Sequence, residues 1–124
     1  MIYLDTHVVV WLYAGDLSRL SGPAREHIEQ NDLLVSPIVQ LELAYQKELG
    51  RITADSALIL ETLEHSIGLG LCQQPFSRIV VESIGQDWTR DPFDRLIVAQ
   101  ARVSGAKLIT KDRTIRKHYE QAVW

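Results

Sequence analysis

Short apolar runs alternate with longer segments of helical period along the whole chain. Ile2-Tyr3-Leu4 ends at Asp5 and reads as a buried strand, after which Asp5 or Thr6 caps a helix carrying Val10, Leu12 and Tyr13 as far as Gly15-Asp16. Ser21-Gly22-Pro23 starts a second helix that includes Ile28, and Leu33-Leu34-Val35 reads as a second strand. Ser36-Pro37 sets a capping hydroxyl before a proline suited to a first helical turn, and Gly50 closes that helix. Thr53 is expected to open the next helix, with Leu58 and Leu63 on its apolar face and Gly68 at its end. Leu69 to Cys72 is a third strand between flanking glycines, and Ser77 to Ile84 is helical. Asp91-Pro92 starts a helix that Gly105 terminates, Lys107 to Thr110 is a strand, a basic helix runs from Asp112, and Ala122 to Trp124 adds an edge strand. Strands that alternate with helices imply βαβ units, hence an α/β fold whose short parallel sheet is covered by helices on both faces. Ligands in such sheets bind beyond the carboxyl ends of the strands. Asp5 and Asp112 both fall there.

Two further carboxylates interrupt apolar helical stripes. Ile38, Glu42, Tyr45 and Leu49 share one face of the third helix, and Asp94 shares a face with Ile97, Val98 and Ala101. A carboxylate on a buried face is costly unless a cation or hydrogen-bond donors compensate it. Each acid also has a plain structural reading. Asp5 and Asp112 can cap helices, Glu42 can tilt outward to Lys47 or an arginine, and Asp94 can join a capping arrangement with Asp91. Asp91, directly before Pro92, is read as an N-cap and left outside the site. The joint occurrence of the other four carries the functional reading: acids that converge cannot all stay ionised without a cation.

Composition narrows the chemistry. The 124 residues are expected to form a single domain spanning 1–124, and the apolar run Val8 to Ala14 is too short to cross a bilayer and lacks the shape of a signal peptide, so no membrane association is expected. A single cysteine, Cys72, excludes an internal disulfide and a cysteine-based zinc cluster, and fits a reducing, cytoplasmic setting. His7, His27, His65 and His118 lack zinc-ligand spacing, and there is neither a glycine-rich phosphate loop nor a serine nucleophile elbow. Oxygen-only ligation suits Mg²⁺ or Mn²⁺, and acid-bound Mg²⁺ most often serves phosphodiester hydrolysis. The net charge of −3 argues against a protein that coats nucleic acid through bulk charge. It hides a polarity, however: residues 1–89 carry −7 and residues 90–124 carry +4. The positive end, with Arg90, Arg95, Lys111, Arg113, Arg116 and Lys117, is placed to hold phosphates beside the acids.

Four motifs occur in order: MIYLDTH (Met1–His7), the helix from Ser36 through LELA (Leu41–Ala44), RDPFDRLIVAQA (Arg90–Ala101) and LITKD (Leu108–Asp112). Together they resemble a PIN domain of the VapC toxin type over essentially the whole chain. The resemblance implies a Mg²⁺-dependent endoribonuclease, the toxin of a toxin–antitoxin pair, that forms homodimers and higher complexes with a VapB-like antitoxin whose tail occludes the acidic groove. It carries the acidic positions onto Asp5, Glu42, Asp94 and Asp112. The mechanism expected on these residues has Asp5 and Asp94 holding the metal directly, with Glu42 and Asp112 completing its shell through water or a second ion. Thr6 and Thr110 supply supporting hydroxyls, Arg95, Lys111 and Arg113 bind phosphate, and in-line attack leaves a 5′-phosphate and a 3′-hydroxyl. Two positions depart from the family pattern: Leu41 replaces a tryptophan and Thr89 a histidine, both bearing on substrate preference. The competing readings are a nuclease of the same type acting on DNA or in RNA processing without an antitoxin, a receiver-like phosphoacceptor, and a non-catalytic metal-binding module. The receiver reading suffers from Asp5 standing alone after the first strand and from the lack of any acid between Leu69 and Gln74.

Overall fold

The computed structural model describes residues 1–124. Five strands, β1 (Ile2–Leu4), β2 (Leu33–Val35), β3 (Gly70–Leu71), β4 (Lys107–Ile109) and β5 (Ala122–Val123), form one parallel sheet in the order β3-β2-β1-β4-β5. Seven helices pack around it: α1 (Thr6–Ala14), α2 (Gly22–Gln30), α3 (Ile38–Glu48), α4 (Ser56–Ile67), α5 (Phe76–Ile84), α6 (Pro92–Ser104) and α7 (Arg113–His118). A three-residue 3₁₀ turn at Leu17–Arg19 links α1 to α2.

The strands carry apolar residues without alternation because both faces of the sheet are covered; Ile2, Tyr3 and Leu4 of β1 are each at most 2% exposed. The Tyr3 hydroxyl, taken into this core, donates to Cys72 Sγ and meets Ser104 Oγ, both at 2.8 Å, and burial pushes its pKa up to about 12. Helix α6 buries Ile97, Val98 and Ala101 as its pattern requires, while Asp91 caps its start and Gly105, at φ +63°, ends it.

Three expectations need correction. Helix α4 starts at Ser56 rather than Thr53: Asp55 occupies the N-cap position, with its carboxylate engaged by Lys47, and residues 51–55 form a bend. The third strand shrinks to Gly70–Leu71 at the sheet edge, where a β-carbon on Gly70 would sit 3.1 Å from Leu34 Cδ2. In α3 the core residues are Val39 and Leu43, whereas Tyr45 and Leu49 are 45% and 66% exposed. The stripe containing Glu42 therefore faces outward along the rim of a cleft.

The strand order locates that cleft. The chain leaves β1 for β2 and β3 on one side, then crosses back to place β4 on the other side of β1. A crevice opens at such a reversal, beyond the carboxyl ends of the two central strands. Asp5 follows β1 and Thr110 to Asp112 follow β4.

Candidate functional site

At this reversal Asp5, Thr6, His7, Glu42, Asp91, Asp94 and Asp112 line one cleft of about 380 Å³, with Val10, Trp11, Gln46, Arg51 and Ile52 completing its walls. The four acids singled out by pattern thus share one wall system, although they come from four elements.

Asp5 is only 4% exposed and is held from two sides. Its Oδ1 accepts the Thr6 amide at 2.8 Å, so it does cap α1, while its Oδ2 accepts the hydroxyl of Thr110 at 2.7 Å. The Thr110 oxygen in turn accepts the Asp112 amide at 3.0 Å. The loops after β1 and β4 are thereby tied together through one buried hydroxyl. Asp112 caps α7 through Oδ1, which accepts the Ile115 amide at 3.0 Å. For both residues, capping and cleft-lining coexist: a helix that starts at the carboxyl end of a strand aims its capping acid at the crevice. Thr6 donates its hydroxyl to Glu42 Oε1, joining α1 to α3.

The electrostatics are those of crowded acids. Asp94 is partly buried, has no hydrogen bond to offset that burial, and faces Asp91, Asp5, Asp112 and Glu42; desolvation and then these charges push its pKa up to about 7. Glu42 is raised as well, mainly by desolvation, with Asp5 and Asp91 adding to the effect and the Thr6 hydrogen bond opposing it. His7 is shifted down, chiefly by burial, against the pull of Asp5 and Asp112. Its Nε2 accepts the Lys111 amide at 2.9 Å, which places the proton of the neutral ring on Nδ1, 3.6 Å from Asp5 Oδ2.

This donor set fits a hard divalent cation. Five carboxylates and no thiol line the pocket, and their crowding holds Asp94 toward its protonated form. No group of three of these acids forms a ready-made ligand cluster.

Asp91 belongs to the cleft although pattern reading left it out. It caps α6, accepting the Phe93 amide at 2.8 Å, and it raises both Asp94 and Glu42. The available signal was its place one turn before Asp94, at a helix start that points at the same crevice. Arg51, a positive side chain on the cleft wall, was also missed; Gly50, at φ +74°, turns the chain back so that the Arg51 amide reaches Gln46 O at 2.9 Å. No sequence pattern announces it.

The basic residues divide. Lys111 lies at the cleft mouth, its ammonium 5.9 Å from the Trp11 ring centroid. Arg95 does not face the acids: its guanidinium bonds the carbonyls of Ser83 and Ile84 at 3.1 and 3.0 Å, closing the carboxyl end of α5. Arg90 lies with Arg95 on that other face, Arg116 donates to the Lys111 carbonyl at 3.3 Å, and Arg113 is exposed at the start of α7. Of the two departures from the family pattern, Leu41 is 44% exposed on α3 and Thr89 Oγ1 accepts the Asp91 amide at 3.2 Å.

Comparison with known proteins identifies the family and the fold. The PIN domain family model matches residues 2–121. The chain is 36% identical over 121 residues to Ribonuclease VapC22 of Mycobacterium tuberculosis, covering 94% of this chain and 91% of that protein. Two solved structures share the fold. One is VapBC2 from Rickettsia felis bound to a DNA fragment from their promoter, with TM-score 0.63, 19% identity, and 94% of this chain and 92% of that chain covered. The other is FitAcB from Neisseria gonorrhoeae, with TM-score 0.53, 21% identity, and coverage of 100% and 96%.

Proposed function

The chain belongs to the PIN-domain family, in its VapC type, and on that premise we propose that it is a divalent-metal-dependent endoribonuclease acting as the toxin of a toxin–antitoxin pair. The observation that carries the proposal is the convergence of Asp5, Glu42, Asp91, Asp94 and Asp112 on one cleft, with Asp94 raised to about 7 by burial and by its neighbours. A purely structural set of caps would not crowd five carboxylates into one crevice, because like charges there oppose folding.

In this reading Asp5 and Asp94 would hold the ion, Mg²⁺ or Mn²⁺, and Glu42 and Asp112 would contribute through water. The chemistry such an ion supplies is polarisation of a phosphodiester and a lowered pKa for water beside it. The chain's own residues do the rest. Thr110 and the Thr6 amide fix the Asp5 carboxylate in one orientation, and Thr6 fixes Glu42. Glu42, with its raised proton affinity, is suited to take a proton from the attacking water. In-line attack of that water at phosphorus would break the bond to O3′, which takes a proton from solvent, and leave a 5′-phosphate and a 3′-hydroxyl. Lys111 meets a flanking phosphate at the mouth of the cleft.

The partner proposed for the same cleft is a VapB-like antitoxin, whose cationic side chain would neutralise the acids and exclude RNA. A homodimer is proposed on the apolar face of α5, where Phe76, Val81 and Ile84 are 66–69% exposed. No helix is long and apolar enough to cross a membrane.

The test is cleavage of an RNA oligonucleotide and of the matched DNA by purified protein with added Mg²⁺, beside Asp5→Asn and Asp94→Asn. The proposal expects RNA cleavage that both substitutions abolish while the circular dichroism spectrum stays unchanged. Undiminished cleavage by either folded variant would refute the assignment of that residue, and cleavage of DNA alone would refute the substrate.

A further inference from the structure

Beside the acids the structure gathers a second kind of surface that metal binding does not use. His7 and Trp11 of α1 and Trp124 after β5 form a cluster of three rings, with centroids 5.0 Å apart for His7 and Trp11, 5.9 Å for Trp11 and Trp124, and 6.4 Å for His7 and Trp124. Two cations lie over Trp11: the Arg19 guanidinium at 5.6 Å and the Lys111 ammonium at 5.9 Å from its centroid. Trp11 is a wall of the acid cleft and also of an adjoining open hollow of about 240 Å³ lined by His7, Lys111 and Asp112.

Packing accounts for part of this, since Trp11 and Trp124 rest against the core. It does not account for the cations. The cleft holds five carboxylates, yet Lys111 forms no ion pair with any of them and stands over an aromatic ring instead. An ammonium that stays clear of nearby carboxylates remains available to a phosphate. The Arg19 guanidinium is paired with Asp16 at 2.9 Å, which leaves Lys111 as the unpaired cation, and half-buried rings beside such a cation are also the surface on which unpaired bases stack, because every base presents a π-face.

We propose that Trp11, with His7 and Lys111, forms a nucleotide subsite: an unpaired base next to the scissile bond stacks on the Trp11 cluster while Lys111 takes the adjoining phosphate. The inference rests on the nuclease reading above and adds to it what the protein recognises outside the metal cleft, namely one unpaired nucleotide, in a loop or single strand, chosen by stacking rather than by base-edge hydrogen bonds.

The experiment measures binding apart from cleavage, using the full chain carrying Asp94→Asn and a labelled single-stranded oligoribonucleotide scanned with one abasic position at a time. With Trp11 present, one abasic position should weaken binding by roughly 5- to 150-fold, the range of a single base–aromatic stack. Trp11→Leu should weaken the intact oligomer similarly and make that abasic position neutral, since both changes remove the same contact. Trp11→Phe should keep most of the affinity and reduce the quenching of tryptophan emission that RNA causes, with Trp124 supplying what remains. Lys111→Ala should lower the salt dependence of binding by about one phosphate contact. A folded Trp11→Leu protein that binds as tightly as its parent, or whose loss adds independently to every abasic loss, overturns the subsite. Should Trp11→Leu fail to fold, unchanged quenching in Trp11→Phe overturns it instead. RNA that is cleaved and bound without regard to Trp11 sinks only the subsite, whereas a wild-type chain that neither binds nor cuts RNA sinks the nuclease reading and this inference with it.

Discussion

Asp94→Asn should make the metal-free protein more stable while removing its activity. The carboxyl of Asp94 titrates near 3.8 when unhindered and at about 7 in the fold, because burial and four neighbouring acids oppose its charge. Between those values the unfolded chain has lost the proton and the folded chain keeps it, so stability falls as pH rises, and the loss is complete above pH 7. A shift of this size corresponds to about 4 kcal/mol at 1.36 kcal/mol per unit. Asp94 is partly exposed, and solvent screening reduces this to about 1–2 kcal/mol. Asparagine keeps the shape and carries no charge. In EDTA at pH 8 the substitution should therefore raise the melting temperature by roughly 3–8 °C for a chain of this size. At pH 5 the gain should be smaller, and at pH 3.5 it should all but vanish. Added Mg²⁺ should raise the wild-type melting temperature and close the gap, since an ion bound only by the folded state stabilises it by mass action. Differential scanning fluorimetry across pH, with EDTA or Mg²⁺, reads all of this. A variant less stable than wild type at pH 8 in EDTA, or a gain that does not change with pH, would show that the acids do not repel one another as described.

Thr110→Val removes the donor to Asp5 Oδ2 and the acceptor for the Asp112 amide, and should destabilise the fold by about 2 kcal/mol in urea denaturation while weakening the response of the melting temperature to Mg²⁺. With metal present, the acid limb of the cleavage profile should move to lower pH as Mg²⁺ is raised, because protons compete with the ion for Asp94 and Glu42, both of which are shifted up; initial rates over a pH and Mg²⁺ grid measure it. Gly105→Ala should cost about 1 kcal/mol through its φ of +63° alone, since nothing lies within 4 Å of the added carbon, and should leave activity at 25 °C unchanged; melting curves and rates decide it.

Much of the fold was legible because its signals are local. Short apolar runs without alternation mark strands covered on both faces, and Gly15, Gly68 and Gly105 stop their helices in the left-handed conformation. The carboxyl end of β1 and the start of α7 likewise place Asp5 and Asp112 at the crevice without any tertiary information. What failed depended on which face a helix turns inward. On α3 two stripes compete, and the apolar Ile38-Tyr45-Leu49 stripe lost to Val39 and Leu43, so Glu42 reached the cleft by lying on the outer face. Asp91 was set aside because its capping role was treated as sufficient, whereas at a helix start beside a crevice one carboxylate can cap and line the cleft together. Arg95 looked like a phosphate ligand by charge and proximity to Asp94, yet one residue along a helix turns a side chain by about 100°, and it meets the open carbonyls of α5. The Trp11 cluster assembles residues from α1, the loop after β4 and the residue after β5, and no window of sequence contains it.

If the converging carboxylates hold a divalent cation that cuts RNA by hydrolysis, the ends of the products carry its signature. An RNA oligonucleotide should be cut only with Mg²⁺ or Mn²⁺, not in EDTA and not by Asp5→Asn, to give fragments bearing 5′-phosphates and 3′-hydroxyls by mass spectrometry. Cleavage that persists in EDTA would remove the cation from the reaction, and fragments ending in 2′,3′-cyclic phosphates would make the 2′-hydroxyl rather than water the nucleophile.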